Sequence, residues 1–145
     1  MREGQAGVTL IEMLVVLSII AIASGAVMLR FVGQSGTDPV AEAGRLADAM
    51  TAAGETALVS GNPQAVVWSA HGWRLMGWQS GRDWQTLSQH DLGAGLTLTR
   101  LDGQNGPVVM APGGVAQPAS FALTLPDHRI EVRFDGIAAR VMGAS

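Results

Sequence analysis

Seventeen consecutive residues, Met13 to Leu29, carry no charge. Extended back to Val8, the run is 22 residues long and only Glu12 interrupts it. As an α-helix it would measure roughly 33 Å, enough to cross the hydrocarbon core of a bilayer. Leu, Ile, Val and Ala dominate the run, Pro is absent, and Gly25 is its one weak helix former. A helix that packs on a soluble core keeps a polar face. This one has almost none, so residues 8–30 read as a single membrane-spanning helix. The competing reading is a secretory signal peptide, because Ala21-Ile22-Ala23 before Ser24 fits a small-x-small cleavage site and Arg2 supplies a basic start. Two features oppose it. Glu12 sits near the front of the run, where an unpaired carboxylate in lipid is costly. Apolar residues also continue past the site, through Val27-Met28-Leu29.

The chain as a whole, 145 residues, is one domain's worth. Nine Arg and no Lys face seven Asp and five Glu, a net charge of −3, which argues against a general nucleic-acid binder. Cys is absent, so disulfides, Cys-ligated zinc, iron–sulfur clusters and thiol catalysis are excluded.

After a break at Gly33-Gln34-Ser35-Gly36-Thr37, Asp38-Pro39 reads as a helix N-cap followed by Pro at N1. Val40, Ala43, Leu46, Ala47, Met50, Ala53, Ala57 and Leu58 then recur at spacings of three and four, with Glu42, Arg45, Asp48 and Glu55 between them. This predicts an amphipathic helix over Pro39–Val59, stopped by Ser60-Gly61-Asn62-Pro63, its apolar stripe packing on the C-terminal domain. From Ala65 the period becomes two. Strands are expected at Ala65–Ser69, Trp73–Trp78, Trp84–Leu87, Leu96–Leu101, Val108–Met110, Ser120–Leu125, Arg129–Phe134 and Ile137–Met142. Asp135-Gly136 is a two-residue hairpin signal, and His71-Gly72 and Asn105-Gly106 mark further turns. The expected class is α+β: a long N-terminal helix, half transmembrane and half amphipathic, packed on a small antiparallel two-sheet domain. The expected divisions are residues 1–7, 8–30, 31–62 and 63–145.

Gly7-Val8-Thr9-Leu10-Ile11-Glu12, followed by the apolar run, resembles the class III signal of type IV pilins and type II secretion pseudopilins. That resemblance implies cleavage by a prepilin peptidase between Gly7 and Val8, with N-methylation of Val8. It makes residues 1–7 the leader peptide and Glu12 the fifth-place Glu retained in the membrane for assembly. Val8 departs from the usual first residue, Phe. Within the chain the only cationic group near Glu12 would be the Val8 amine. In a filament a neighbour's amine could neutralise it, and the alternative is a carboxylate snorkelling to headgroup level. Arg45-Leu46-Ala47, Ala57 to Pro63, Trp73-Arg74-Leu75, Trp84-Gln85, the Ala111-Pro112-Gly113-Gly114 to Leu125 block and the Arg129 to Val141 hairpin are similar to minor pseudopilin H and its relatives (GspH/FimT-like). The pilin-like fold follows from that resemblance. So does a structural subunit of a type II secretion pseudopilus, single-pass in the inner membrane, with a cytoplasmic N-terminus and a periplasmic C-terminal domain. Its partners would be other minor and major pseudopilins and the prepilin peptidase, and the alternative is a FimT/FimU-like minor pilin of a type IV pilus.

No catalytic constellation is legible. His71, His90 and His128 show no metal-ligand spacing, and Gly77-Trp78-Gln79-Ser80-Gly81 only approaches a nucleophile elbow. Asp102-Gly103-Gln104-Asn105-Gly106 offers too few oxygen ligands for calcium and reads as a polar turn. No enzyme activity, cofactor, metal site or nucleic-acid partner is therefore expected. Trp68, Trp73, Trp78 and Trp84 admit two readings, sheet packing or a subunit contact.

Overall fold

The computed structural model describes residues 11–19, 38–79, 83–113 and 116–143. The chain divides into two compact units, Met1–Gly36 and Thr37–Ser145. In the first, residues 11–19 are helical (α1). Ser18 donates its hydroxyl to the Leu14 carbonyl at 2.8 Å, so this polar side chain in an apolar helix is satisfied one turn back. Most of the run 8–30 lies outside the described residues, and among those described no helix is long and apolar enough to cross a membrane.

The second unit opens with α2, Pro39–Ser60. Asp38 caps it from an extended backbone (φ −83°, ψ 105°), its carboxylate accepting from Val40 N–H at 2.9 Å. At the other end Gly61, at φ 70°, turns left-handed and donates its N–H to the Ala57 carbonyl. Eight strands follow, close to those expected: β1 Gln64–Ser69, β2 Gly72–Trp78, β3 Trp84–Asp91, β4 Thr97–Arg100, β5 Val108–Met110, β6 Ala119–Leu125, β7 His128–Phe134 and β8 Ala139–Met142. They form two antiparallel sheets, ordered β3-β2-β1-β5 and β4-β6-β7-β8. α2 packs across β7, β8 and β1.

The core lies between α2 and the inner faces of the sheets. Leu46 and Met50 of α2, Val66 of β1, Leu98 of β4, Met110 of β5, Phe121 and Leu123 of β6, and Ile130, Val132 and Phe134 of β7 are fully buried. Ala43, Ala47, Ala53 and Ala57 fill the rest of the apolar part of the buried helix face, and their small side chains let the helix approach the sheets closely. At Gly54 even a methyl group would stand 3.3 Å from the Ile137 carbonyl.

Several local expectations are corrected. The α2 stripe is narrower than its spacing implied, since Val40 and Leu58 are exposed. Glu42, expected on the solvent side, is buried because His90 and Arg45 meet its carboxylate there. The β1–β2 turn is Ala70-His71, with Ser69 opposite Gly72, so Gly72 belongs to the strand. Asp135-Gly136 is not a two-residue turn. Phe134 pairs with Ala139 across four loop residues, and Ile137 lies in the loop. The Asp135 carboxylate accepts from the N–H groups of Ile137 and Ala138, both at 2.9 Å, which holds this wider turn closed. β3 runs on to Asp91, four residues beyond the apolar signal, because the polar segment Ser88–Asp91 still pairs with β2.

Candidate assembly surface

Of the N-terminal residues singled out, Gly7 and Val8 lie outside the described residues. Glu12 stands in α1, exposed, between Ile11 and Met13, with Leu14, Val15, Val16, Leu17 and Ile19 exposed around the same helix. Such an apolar circumference on an isolated unit is surface that water does not favour, and a bilayer or other helices would cover it.

On the second unit an apolar groove of about 300 Å³ opens where the C-terminal end of α2 meets the β7–β8 loop. Gly54, Leu58, Met110, Pro112 and Ile137 line it, and Leu58 and Ile137 are 58% and 61% exposed. The tryptophans divide. Trp73 is buried, its ring 4.4 Å from that of His90. Trp68 meets Phe121 edge-on at 5.8 Å and donates its indole N–H to the Gly106 carbonyl. Trp78 and Trp84 pair edge-on at 5.6 Å, and Trp84 is 37% exposed. Sheet packing accounts for the first two, and the exposed edge of the last pair leaves Trp84 available to another surface.

Two polar clusters escaped the sequence reading. Glu42, in the first turn of α2, forms an ion pair with Arg45 and lies 2.6 Å from His90 Nε2 on β3. The three histidines have no motif spacing, and 48 residues separate His90 from Glu42, so no local signal joins them. The contact ties the start of the helix to the edge of the first sheet. The second cluster surrounds Arg100, whose side chain is 3% exposed. Its guanidinium donates to the Gly106 carbonyl at 2.8 Å and to Asp102 Oδ2 at 2.9 Å, and lies 5.8 Å over the Phe121 ring. Arg100 therefore holds the Asp102 carboxylate below the usual carboxylate range, aided by the Gln104 N–H. The polar turn is a closed structural loop whose carboxylate faces an arginine. Among the described residues no three His, Asp or Glu side chains gather as metal ligands would.

The arrangement is thus an apolar helix bearing one carboxylate and a compact unit with surfaces for contact. Residues 2–28 match the prokaryotic N-terminal methylation motif. Residues 42–139, more than half of the chain, match the type II transport protein GspH. The chain belongs to the type II transport protein GspH family. Its fold is similar to that of the minor pseudopilin EpsH from the Type 2 Secretion System of Vibrio cholerae, with a TM-score of 0.62. The two are 18% identical, and the match covers 72% of this chain and 96% of that one. No curated protein sequence matches the chain. The GspH match runs from Glu42 in α2 to Ala139 at the start of β8, so most of α2 and strands β1–β7 fall within it.

Proposed function

We propose that this chain is a minor pseudopilin, a non-enzymatic structural subunit of the pseudopilus of a type II secretion system. The observation that carries the reading is the order of two matches in one chain, a methylation motif over residues 2–28 ahead of a GspH domain over residues 42–139. In this reading prepilin peptidase removes residues 1–7 and methylates Val8. Residues 8–30 store the subunit in the inner membrane, with the N-terminus cytoplasmic and the second unit periplasmic. Assembly draws α1 among the apolar helices of other pseudopilins, where the Glu12 carboxylate meets a neighbour's N-terminal amine. That ion pair is worth most in a water-free helix bundle, because a charge there otherwise lacks solvation. The family match supports the secretion system over a type IV pilus as the setting.

Intact-mass and N-terminal peptide mass spectrometry of the protein from its native membrane tests the processing. The expected product begins at Val8 and carries one methyl group on its amine. A chain beginning at Ser24, or one retaining Met1, would refute it.

A further inference from the structure

The outer face of the second sheet can be read row by row from its registers. Thr97, Thr124 and Arg129 form one row, and Thr99, Ala122, Glu131 and Met142 the next. The third row is Ser120, Arg133 and Arg140. Arg133 and Arg140 are direct cross-strand partners, so both side chains leave the same face with Cβ atoms about 5 Å apart. Like charges so placed destabilise a strand pair. The acid that could relieve them, Glu131, is engaged by Arg129 at 3.1 Å. Asp135 feels the field of Arg140, but its Oδ1 accepts from the turn N–H groups of Ile137 and Ala138. Among the described residues neither Arg133 nor Arg140 forms an ion pair.

A charge on an edge strand ordinarily guards against strand addition, and that would explain Arg140 on β8. It does not explain Arg133, which stands on the interior strand β7. Two adjacent guanidiniums, whose flanking acids Glu131 and Asp135 are engaged by other groups, stand on a face of Ser, Thr, Ala122 and a 40%-exposed Met142 without an ion-pair partner among the described residues.

We propose that the Arg133–Arg140 pair is a docking surface for another pseudopilin, which presents a pair of carboxylates to it, with Met142 supplying apolar contact beside them. This rests on the pseudopilin reading above. A protein fits better than a polyanion for two reasons. Each phosphate contact needs its own cation, and two give little affinity at ordinary salt. From Thr37 onward the chain also has seven arginines against ten acidic residues, a field that repels a polyanion at long range. A protein face with two well-placed carboxylates needs only short-range complementarity.

The test uses the tagged full chain expressed in its own cells, with chemical cross-linking and isolation of associated pseudopilins. The double variant Arg133→Glu/Arg140→Glu should lower their recovery about tenfold while membrane level and processing stay at wild type. Arg140→Gln serves as the control for folding. It removes a like-charge contact, so the melting temperature should hold or rise while recovery still falls. Recovery equal to wild type in both variants overturns the proposal and leaves the pseudopilin reading standing. If the wild-type chain recovers no pseudopilin at all, that reading itself falls, and the proposal with it. Binding of the wild-type chain to duplex DNA or to phosphatidylglycerol vesicles, lost in the double variant with pseudopilin recovery unchanged, would reassign the pair to phosphate and also overturn it.

Discussion

At the scale of single residues, Arg100 and Asp102 show how one loop is held. The guanidinium is buried, so its charge is tolerated only because Asp102 and the Gly106 carbonyl meet it. Asp102→Asn keeps the shape and removes the charge. It should cost about 1–2 kcal/mol, the difference between a charged and a neutral acceptor. The pH dependence has a definite sign. The folded-state pKa of Asp102 lies below its unfolded value, so the contribution is present above about pH 4 and is lost as pH falls through the folded pKa. Asp135 is lowered as well, chiefly by the N–H groups of Ala138 and Ile137, and works in the same direction. Thermal melts at neutral pH and near pH 3 check this. The acid-induced fall in melting temperature should be smaller in Asp102→Asn than in the parent, and identical acid limbs would contradict the assignment.

At the scale of elements, the β2–β3 pair leaves no room for a side chain at Gly72. Gly72 stands opposite Asp91, and a Cβ there would come within 2.2 Å of the His90 carbonyl oxygen. That atom is backbone and cannot rotate aside, so Gly72→Ala must push β3 away from β2. The same shift would draw His90 off Trp73 and Glu42, which loosens the start of α2 from the first sheet. A cost of about 1–3 kcal/mol is expected, as for other overpacked sites. Denaturant unfolding of the purified protein measures it. Gly44→Ala, in α2 with nothing within 4 Å of the added methyl, is the companion variant and should hold or gain stability. A Gly72→Ala protein as stable as the parent would show that the pairing is looser than this geometry requires.

At the scale of the whole molecule, the proposed anchor and the strand-rich unit can be tested separately. Among the described residues, the buried core cluster draws on α2, the strands and the loops between them. The role proposed for Glu12, in the first unit, concerns the membrane and the filament. Glu12→Ala should leave insertion and processing unchanged, because removing a carboxylate makes an apolar helix more hydrophobic. Recovery in assembled pseudopilus should fall at least tenfold, consistent with the cost of leaving a neighbour's amine without its partner in a bundle core. Membrane fractionation alongside sheared-filament recovery separates the two. Loss of insertion, with normal assembly of what remains, would contradict the assigned role.

Contiguous patterns were readable without coordinates. The capped helix after Asp38 and the eight strands among the described residues follow from periodicity and turn residues within short windows, since a helix or strand exposes its period locally. The N-terminal methylation motif was legible in the same way, through neighbouring residues, and the GspH resemblance through short blocks between Arg45 and Val141. The tertiary structure decided what depends on residues far apart in the chain. It buried Glu42 by bringing His90 to it, and it closed the Asp102 loop onto Arg100. It also turned Asp135-Gly136 into a four-residue loop and set Arg133 beside Arg140. Each of these depends on strand register and helix placement, and a one-residue slip in register would exchange the faces of a whole strand. Local periodicity says which residues share a face, while only pairing and packing say which faces meet.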